Sequence, residues 1–224
     1  MRISVIIPAH NETKQIASTI DASMKASHRI CEVIVVDDCS SDDTSQKARA
    51  SGALVLSMPQ RAGKGAALMR GALESIGDIL VFLDADIGKT ALEIPKLIEP
   101  VATDKADMTI ARFSRAPCTQ PKSPGLVKAA AYWGVRRLCK SSLSSTLSGQ
   151  RAARRHTFVG LMPFAPGFGV EVGLTIDALR QNLRILEVDC EMTHRVTGND
   201  LAGISHRARQ FYHVVKAVVE RCVK

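Results

Sequence analysis

The sequence predicts an α/β protein built on a mostly parallel, twisted sheet with helices on both faces. Three observations predict this class. Short β-branched runs alternate with helix-compatible segments along the first half of the chain. The runs are apolar almost throughout, as in strands that are buried on both faces. Polar or glycine-rich residues follow the runs where they end, at the edge where such sheets bind ligands.

The predicted elements follow in chain order within a single domain of 224 residues, a length sufficient for one core. In the first half, residues 1–112, the predicted strands are ISVIIPA, CEVIVVDD, GALVLSM, DILVFLD and ADMTIAR. In the second half, residues 113–224, SRAPCTQPKSPG predicts a loop because it is rich in proline and serine. After it, GLVKAAAYWGVRRLCK and GVEVGLTIDALRQ predict helices, LRILEVDC a late strand and SHRARQFYHVVKAVVERCVK a basic amphipathic helix.

Two carboxylates follow the apolar run of residues 79–83. Asp84 and Asp86 are one residue apart, and residues spaced in this way point to the same side of an extended chain. Like charges repel, and burying either one without a partner is costly. Because oxygen ligands suit divalent cations, the pair predicts a metal site at this strand end.

Other strand ends carry complementary chemistry. Asn11 and Glu12 follow the first predicted strand, and Asp37 and Asp38 end the second. The third is followed by RAGKGAA, in which Lys64 lies between two glycines that let a backbone approach a phosphate closely. We therefore expect these residues to meet at one edge of the sheet.

The charge distribution predicts an anionic partner. The formal net charge is +8, and no acidic residue occurs between Asp107 and Glu171. We expect this acid-free block to form one electropositive wall with Arg151 near its centre, facing a substrate phosphate, a lipid headgroup or nucleic acid. Its basic residues are Arg112, Arg115, Lys122, Lys128, Arg136, Arg137, Lys140, Arg151, Arg154 and Arg155.

The chain has the features of a cytoplasmic protein. It contains no apolar run of about 18 residues, so no transmembrane helix is expected, and the apolar start MRISVIIPAH is too short for a secretory signal. The six cysteines are scattered, which predicts reduced thiols instead of disulfides or a structural zinc site.

The order VIIPAHNE, VIVVDDCSSDDT, GKGAALMRGA and VFLDADI resembles the nucleotide-sugar half of family 2 glycosyltransferases, which have the Rossmann-like GT-A fold. The later GFGVEVGLTID and THR are similar to segments of glucosyl-3-phosphoglycerate synthases, and polyprenyl- or dolichyl-phosphate sugar transferases share the first half. The resemblance implies transfer of a sugar from a UDP- or GDP-sugar to a phosphate-bearing acceptor, either a small molecule or a polyprenyl phosphate. It also implies Mg²⁺ or Mn²⁺ bound to the donor diphosphate.

The resemblance assigns roles to the donor-side residues. Asp86 would coordinate the metal directly, Asp84 would contact the ribose or the metal through water, and His194 would complete the metal shell. An imidazole ligand suits Mn²⁺ better than Mg²⁺. Asp38, or else Asp37, would accept the imino proton of the base. The remaining predicted nucleotide-sugar contacts are Pro8, Ala9, Asn11, Glu12 and Lys64.

Two segments are candidates for the acceptor side. The resemblance places a catalytic or acceptor-binding carboxylate at Glu171, which would act as a base only for a hydroxyl acceptor. Alternatively, Glu171 solvates the first turn of its helix. In LSGQRAARR, Gly149, Gln150 and Arg151 could present amides and a guanidinium to an acceptor phosphate. The alternative there is an exposed basic start of a helix.

The C-terminal helix leaves two locations open. Phe211, Val215, Val218, Val219 and Cys222 were expected on one broad face, with Arg207, Lys216 and Arg221 beside it. Such a helix either packs on the domain with its charges in water or rests on anionic lipid at the inner face of a membrane. A homodimer is also left open.

Three other classes compete with the transferase prediction. A nucleic-acid-binding protein is disfavoured by the low aromatic content, 4%, and by the absence of a recognition motif, so we expect no nucleic acid. A catalytically inactive nucleotide-binding protein of the same fold would not need both aspartates, Lys64 and His194. A nucleotidylyltransferase would carry a glycine-rich basic loop after the first strand, where this chain has PAHNE.

Overall fold

The computed structural model describes residues 1–113, 125–193 and 201–222, with residues 201–207 described by their backbone alone. Within these ranges the chain forms seven strands and eight α-helices. The strands are β1 (Ile3–Ala9), β2 (Ile30–Asp37), β3 (Leu54–Ser57), β4 (Ile79–Phe82), β5 (Met108–Phe113), β6 (Arg151–Arg154) and β7 (Ile185–Cys190). The helices are α1 (Ile16–Ala26), α2 (Thr44–Ala50), α3 (Lys64–Glu74), α4 (Ile94–Ala102), α5 (Leu126–Cys139), α6 (Arg155–Gly160), α7 (Val170–Arg180) and α8 (Leu201–Cys222). The predicted α/β class is confirmed.

The seven strands form one sheet in the order β3-β2-β1-β4-β6-β5-β7. Strands β1 to β4 are parallel wherever they pair, and β5 is parallel to β7. Strand β6 runs antiparallel to both of its neighbours, β4 and β5. Its first residues therefore lie at the edge where β1, β2 and β4 end.

Strand β6 is an element that the sequence did not predict. The segment LSGQRAARR had suggested an acceptor-binding loop or an exposed helix start, but Arg151–Arg154 pairs along β4, with Phe82 opposite Arg151. The reason lies in its composition. Ala152 and Ala153 are fully buried on opposite faces, and alanine carries neither strand propensity nor an alternating pattern.

Both faces of the sheet are covered, as predicted. Ile6 and Ile7 are neighbours in β1 and are fully buried, yet they belong to separate apolar clusters on opposite faces. On one face the strands pack against α1 and α4, and on the other against α3, α6 and α7. A third cluster joins α5, α7 and α8, through side chains that include Ala131, Val135, Val172, Ile176, Val214 and Val218.

The C-terminal helix packs on the domain, but through a different face from the expected one. Val214, Ala217 and Val218 are buried against α5 and α7, whereas Phe211 and Val219 are 40% and 53% exposed. The buried face is therefore rotated from the predicted one. Packing against α5 and α7 determines which face is buried, and hydrophobicity alone does not. Among the described residues, none of the helices combines the length and apolar character that crossing a bilayer requires.

Arg221 was expected in water and is instead buried on that face. Its Nε donates to Oδ1 of Asp177 at 2.8 Å, and its Nη2 donates to Oδ2 of the same residue. We expect Arg221→Ala to lower the free energy of unfolding by about 3 kcal/mol, because the carboxylate of Asp177 would lose its buried partner. Chemical denaturation of the two proteins measures this difference.

An exposed arginine provides the control. Arg70 pairs with Glu74 on the surface of α3 at 3.3 Å, and Arg70→Ala should change stability by less than about 1 kcal/mol. The double replacement Arg221→Met with Asp177→Leu should recover most of the loss, since it removes both charges. Equal stability losses for Arg221→Ala and Arg70→Ala would show that the ion pair does not support α8.

Candidate active site

A cavity of about 690 Å³ opens at the edge of the sheet where β1, β2 and β4 end. Residues that follow these strands line it, as expected for a parallel sheet. The sequence-predicted residues in its wall are Pro8, Ala9, Glu12, Asp38, Lys64, Asp84, Asp86, Gly149, Gln150 and Glu171. The fold thus brings together most of the predicted donor-side residues and the predicted acceptor-side residues.

Lys64 lies between two carboxylates at the centre of this cavity. It begins α3, and its Nζ donates to Oδ1 of Asp84 at 2.5 Å and to Oε1 of Glu171 at 2.6 Å. Burial alone would lower the pKa of Lys64, but the charges of Asp84 and Glu171 and the hydrogen bonds to them raise it well above its ordinary value. Lys64 is therefore a fixed positive charge that joins the predicted metal site at the end of β4 to the start of α7.

Gln150 holds the second oxygen of Asp84. Its Nε2 donates to Oδ2 of Asp84 at 2.8 Å. The register of β6 explains this contact, because Arg151 pairs with Phe82 and the residue before it then lies beside the residues that follow β4. The loop of residues 141–150 is thereby placed over the end of β4.

Gly149 approaches the same ion pair so closely that a side chain would not fit. A Cβ atom at this position would lie 2.6 Å from Nζ of Lys64 and 2.7 Å from both carboxylate oxygens of Asp84. The resemblance implies a sugar transferase, and for that activity we expect Gly149→Ala to displace this pair and to reduce the rate of transfer by about tenfold or more, because small misplacements of reacting groups are costly. Steady-state rates measure the effect.

A second glycine supplies the matched control for Gly149. Gly160→Ala adds the same atom where no other atom lies within 4 Å, so transfer should be unchanged. Melting temperatures of both variants should stay close to that of the parent protein. If Gly149→Ala and Gly160→Ala transfer sugar at equal rates, the close approach has no role in the reaction.

Arg151 lies under the cavity and not in its wall. The residue is 1% exposed, and its guanidinium donates to the carbonyl oxygens of Thr146, Ser148 and Glu171 at 3.2, 2.9 and 2.8 Å. Burial lowers the pKa of Arg151 to about 10 against the favourable charges of Glu171 and Asp84, which leaves it cationic at neutral pH. In this arrangement Arg151 fixes the 141–150 loop to α7. Its guanidinium N–H groups already donate to backbone carbonyl oxygens.

Asp38 organises the end of the cavity that is predicted to bind the nucleotide. Its two carboxylate oxygens accept the backbone N–H groups of Ala62 and Gly63 at 2.7 and 2.9 Å, which fixes the loop before Lys64. Nδ1 of His10 lies 2.8 Å from the carbonyl oxygen of Asp38 and is held against it. Each carboxylate oxygen retains a second acceptor position, so the predicted contact of Asp38 with a base stays open.

Two predicted donor-side residues lie outside the cavity wall. Asn11 accepts the backbone N–H of Ser41 at 2.8 Å, and Asp37 accepts the hydroxyl of Ser45 at 2.8 Å. Both therefore support the loop between β2 and α2. Their predicted contact with a nucleotide forms no part of the function proposed below.

The metal prediction concerns three residues. Asp84 and Asp86 both line the cavity, which places two carboxylate donors at the end of β4. His194 lies outside the described residues, so its predicted coordination stays a prediction. Within the described ranges no three His, Cys, Asp or Glu side chains form a metal-binding cluster. The two aspartates nevertheless provide the oxygen donors that Mg²⁺ and Mn²⁺ prefer.

The acid-free block does not form one wall, which corrects the sequence-based expectation. Arg155 donates to the carbonyl oxygens of Ser75 and Leu73 at the opposite edge of the sheet, because β6 is antiparallel and ends there. Arg112 forms an exposed ion pair with Asp189 at 2.6 Å. Basic residues that are close in sequence are thus divided between the two edges.

Several cavity residues carried no usable signal in the sequence. They come from loops, from α3 and the end of β5, and from α8, which reaches the site only through packing of helices on the second half of the chain. These residues are His10, Arg61, Ala67, Ala85, Phe113, Leu147, Ser148, Gly167, Phe168, Arg209, Gln210 and His213. Gly167 has a φ of +55°, a backbone conformation that favours glycine at this turn.

Several known proteins are similar to this chain in sequence and in structure. Glucosyl-3-phosphoglycerate synthase of Mycobacterium tuberculosis is 38% identical over 195 residues, which cover 78% of this chain but only 60% of that protein. A crystal structure of that synthase with Mn²⁺, UDP-glucose and phosphoglyceric acid matches with a TM-score of 0.84 at 31% identity, covering 99% of this chain and 79% of that chain. Undecaprenyl-phosphate mannosyltransferase of Micrococcus luteus is 30% identical over 213 residues, or 88% of this chain and 86% of that protein.

The profile of glycosyl transferase family 2 matches residues 4–155, which span β1 to β6 and most of the cavity wall. The match confirms the resemblance inferred from the four strand-end motifs. This chain belongs to glycosyl transferase family 2.

Proposed function

We propose that this protein transfers a hexose from a nucleoside diphosphate sugar, UDP-glucose in the first instance, to a small acceptor that carries a phosphate. One observation carries the proposal: Nζ of Lys64 lies 2.5 Å from Asp84 and 2.6 Å from Glu171, within a cavity that Asp86 and Asp38 also line. A diphosphate needs positive charge beside it, and Lys64 provides that charge at the end of β4, beside Asp84.

The donor side of the proposal assigns a task to each residue. Asp84 and Asp86 would hold Mg²⁺ or Mn²⁺, which would supply charge neutralisation for the leaving diphosphate. Lys64 stabilises the same developing negative charge through its buried ammonium group. Gln150 and Lys64 together fix both oxygens of Asp84, so the carboxylate cannot turn away from this end of the cavity.

On the acceptor side, we assign the catalytic carboxylate to Glu171. It opens α7, is 7% exposed, and has Oε1 fixed by Lys64. For a hydroxyl acceptor, Glu171 is the group placed to receive the proton. Gly149 and Gln150 line the same part of the cavity, and Arg151 supports them from below.

A matrix of donors and acceptors tests the proposed function. The released nucleoside diphosphate is measured for UDP- and GDP-sugars, with phosphoglyceric acid or a short polyprenyl phosphate as acceptor, in Mn²⁺ and in a chelator. We expect Mn²⁺-dependent release from UDP-glucose with phosphoglyceric acid. The proposal is wrong if no donor and acceptor pair gives release above that of Asp86→Ala.

A polyprenyl phosphate acceptor is the second candidate. The match to the undecaprenyl-phosphate mannosyltransferase supports it, and so does a set of exposed aromatic side chains on α5 and α8, namely Trp133 at 66% and Tyr212 at 61%. Aromatic residues among basic ones suit a lipid surface. Co-sedimentation with anionic vesicles at low salt, combined with release in the polyprenyl phosphate arm, would favour this acceptor.

A further inference from the structure

Helix α8 forms part of the wall of the active-site cavity, although it lies far from the donor motifs in sequence. Arg209, Gln210 and His213 all line the cavity. Arg209 and Gln210 are adjacent, and His213 lies about one turn further along the helix. The three side chains therefore line one broad face. This face adjoins the one that Val214 and Val218 bury against α5 and α7.

The position of this face is fixed by His213. The backbone N–H of Phe168 donates to Nδ1 of His213 at 3.3 Å, and the two rings stack with centroids 6.0 Å apart. A Cβ atom on Gly167, whose φ is +55°, would lie 2.4 Å from Nδ1. Helix α8 therefore packs too closely against the turn that leads into α7 to leave space for a side chain at position 167.

His213 can make this contact because it is neutral. Burial, and then the positive charges of Arg209 and Lys216, lower the pKa of His213 below its ordinary value. A backbone N–H can only donate, so Nδ1 is the acceptor and the ring proton is on Nε2. The imidazole thus holds α8 against residues 167–169.

The charges in the cavity make Arg209 important for an anionic acceptor. Five carboxylates line the cavity: Glu12, Asp38, Asp84, Asp86 and Glu171. An anion that approaches Glu171 is repelled unless a cation lies beside it. The buried charge of Lys64 is shared between Asp84 and Glu171, and Arg151 donates to backbone carbonyls.

Arg209 and Arg61 are the other cavity cations within the described ranges, and they serve different ends. Arg61 precedes the amides that bind Asp38 and so belongs to the nucleotide end. Arg209 is one turn from His213, which contacts the turn before Glu171. Arg209 makes no ion pair with any other residue that the structure describes.

We infer that Arg209 of α8 binds the anionic group of the acceptor, and that His213 is the positioning residue that keeps Arg209 facing the cavity. This inference rests on the proposed function, because it assumes that an anionic acceptor enters beside Glu171. A guanidinium suits a phosphate or a carboxylate equally, since both accept two parallel hydrogen bonds.

Acceptor kinetics of Arg209→Gln test the inference, with Arg137→Gln as the matched control. Arg137 is an exposed arginine of α5 outside the cavity wall, and its replacement removes the same charge. Phosphoglyceric acid is varied at saturating UDP-glucose and Mn²⁺. We expect Arg209→Gln to raise KM for phosphoglyceric acid by about tenfold or more. Its KM for UDP-glucose should match that of Arg137→Gln.

Glycerol 3-phosphate, which lacks the carboxylate, identifies the group that Arg209 binds. A loss for both acceptors assigns Arg209 to the phosphate, and a loss confined to phosphoglyceric acid assigns it to the carboxylate. For His213, His213→Ala should raise the same KM, and His213→Asn should restore it in part because its amide oxygen can replace Nδ1 as acceptor.

Each remaining outcome overturns a defined statement. If Arg209→Gln has the same KM for both acceptors as Arg137→Gln, Arg209 does not bind the acceptor, while the proposed function stands. If His213→Ala leaves that KM unchanged, His213 has no positioning role. If the parent protein shows no Mn²⁺-dependent transfer from any donor, the proposed function fails and this inference fails with it.

Discussion

Asp86→Ala is expected to reduce sugar transfer by about a thousandfold, because a bound cation contributes several kcal/mol of charge stabilisation to such a reaction. Asp86 lines the cavity at the end of β4, two residues after Asp84, and the pair provides the carboxylate oxygens for Mg²⁺ or Mn²⁺. Rates are measured over a range of Mn²⁺ concentrations. The residual rate should no longer depend on the metal.

The control for this change is Asp21→Ala, which removes an exposed carboxylate from α1. It should leave both the rate and its metal dependence unchanged. Melting temperatures of the two variants should be similar, since Asp86 is not part of the apolar clusters of the sheet. Retention of metal-dependent transfer by Asp86→Ala would remove this residue from the metal site.

Lys64→Ala is expected to weaken UDP binding by about ten- to a hundredfold while changing uridine binding much less. The ammonium group contacts Asp84 and Glu171, so its loss also leaves these two carboxylates without the cation between them. Transfer should fall at least as far as UDP affinity. Calorimetric titration with UDP and with uridine separates the diphosphate contact from contacts to the base and ribose.

Two further variants control the Lys64 result. Lys105→Ala removes an exposed ammonium group and should leave both affinities unchanged. Lys64→Arg keeps the charge and should retain part of the difference between UDP and uridine. Equal losses for the two ligands in Lys64→Ala would show that Lys64 supports the fold of the cavity and does not contact the diphosphate.

The donor half of the site could be predicted because local sequence determines it. A charged residue interrupts an apolar run, so Asp38 and Asp84 mark the ends of β2 and β4. Parallel strands place those ends at one edge, and Lys64 follows from the glycine-rich start of α3. No information from distant parts of the chain is needed for these residues.

The acceptor half depends on packing that the sequence pattern does not express. Ala152 and Ala153 give no strand signal, so the antiparallel course of β6 and the burial of Arg151 could not be predicted. On α8, hydrophobicity indicated a face with Phe211 and Val219, but the cavity is lined by Arg209 and His213. Which face a helix turns inwards depends on its neighbours, here α5 and α7.

Titration calorimetry with UDP and uridine, each in Mn²⁺ and in a chelator, tests most directly whether this cavity is a metal-dependent diphosphate site. We expect UDP to bind at least about tenfold more tightly in Mn²⁺ than in chelator, and uridine to bind weakly and equally in both. Asp86→Ala should abolish the difference for UDP. Equal affinity for UDP with and without Mn²⁺ in the parent protein would contradict the assignment of Asp84, Asp86 and Lys64 to the donor diphosphate.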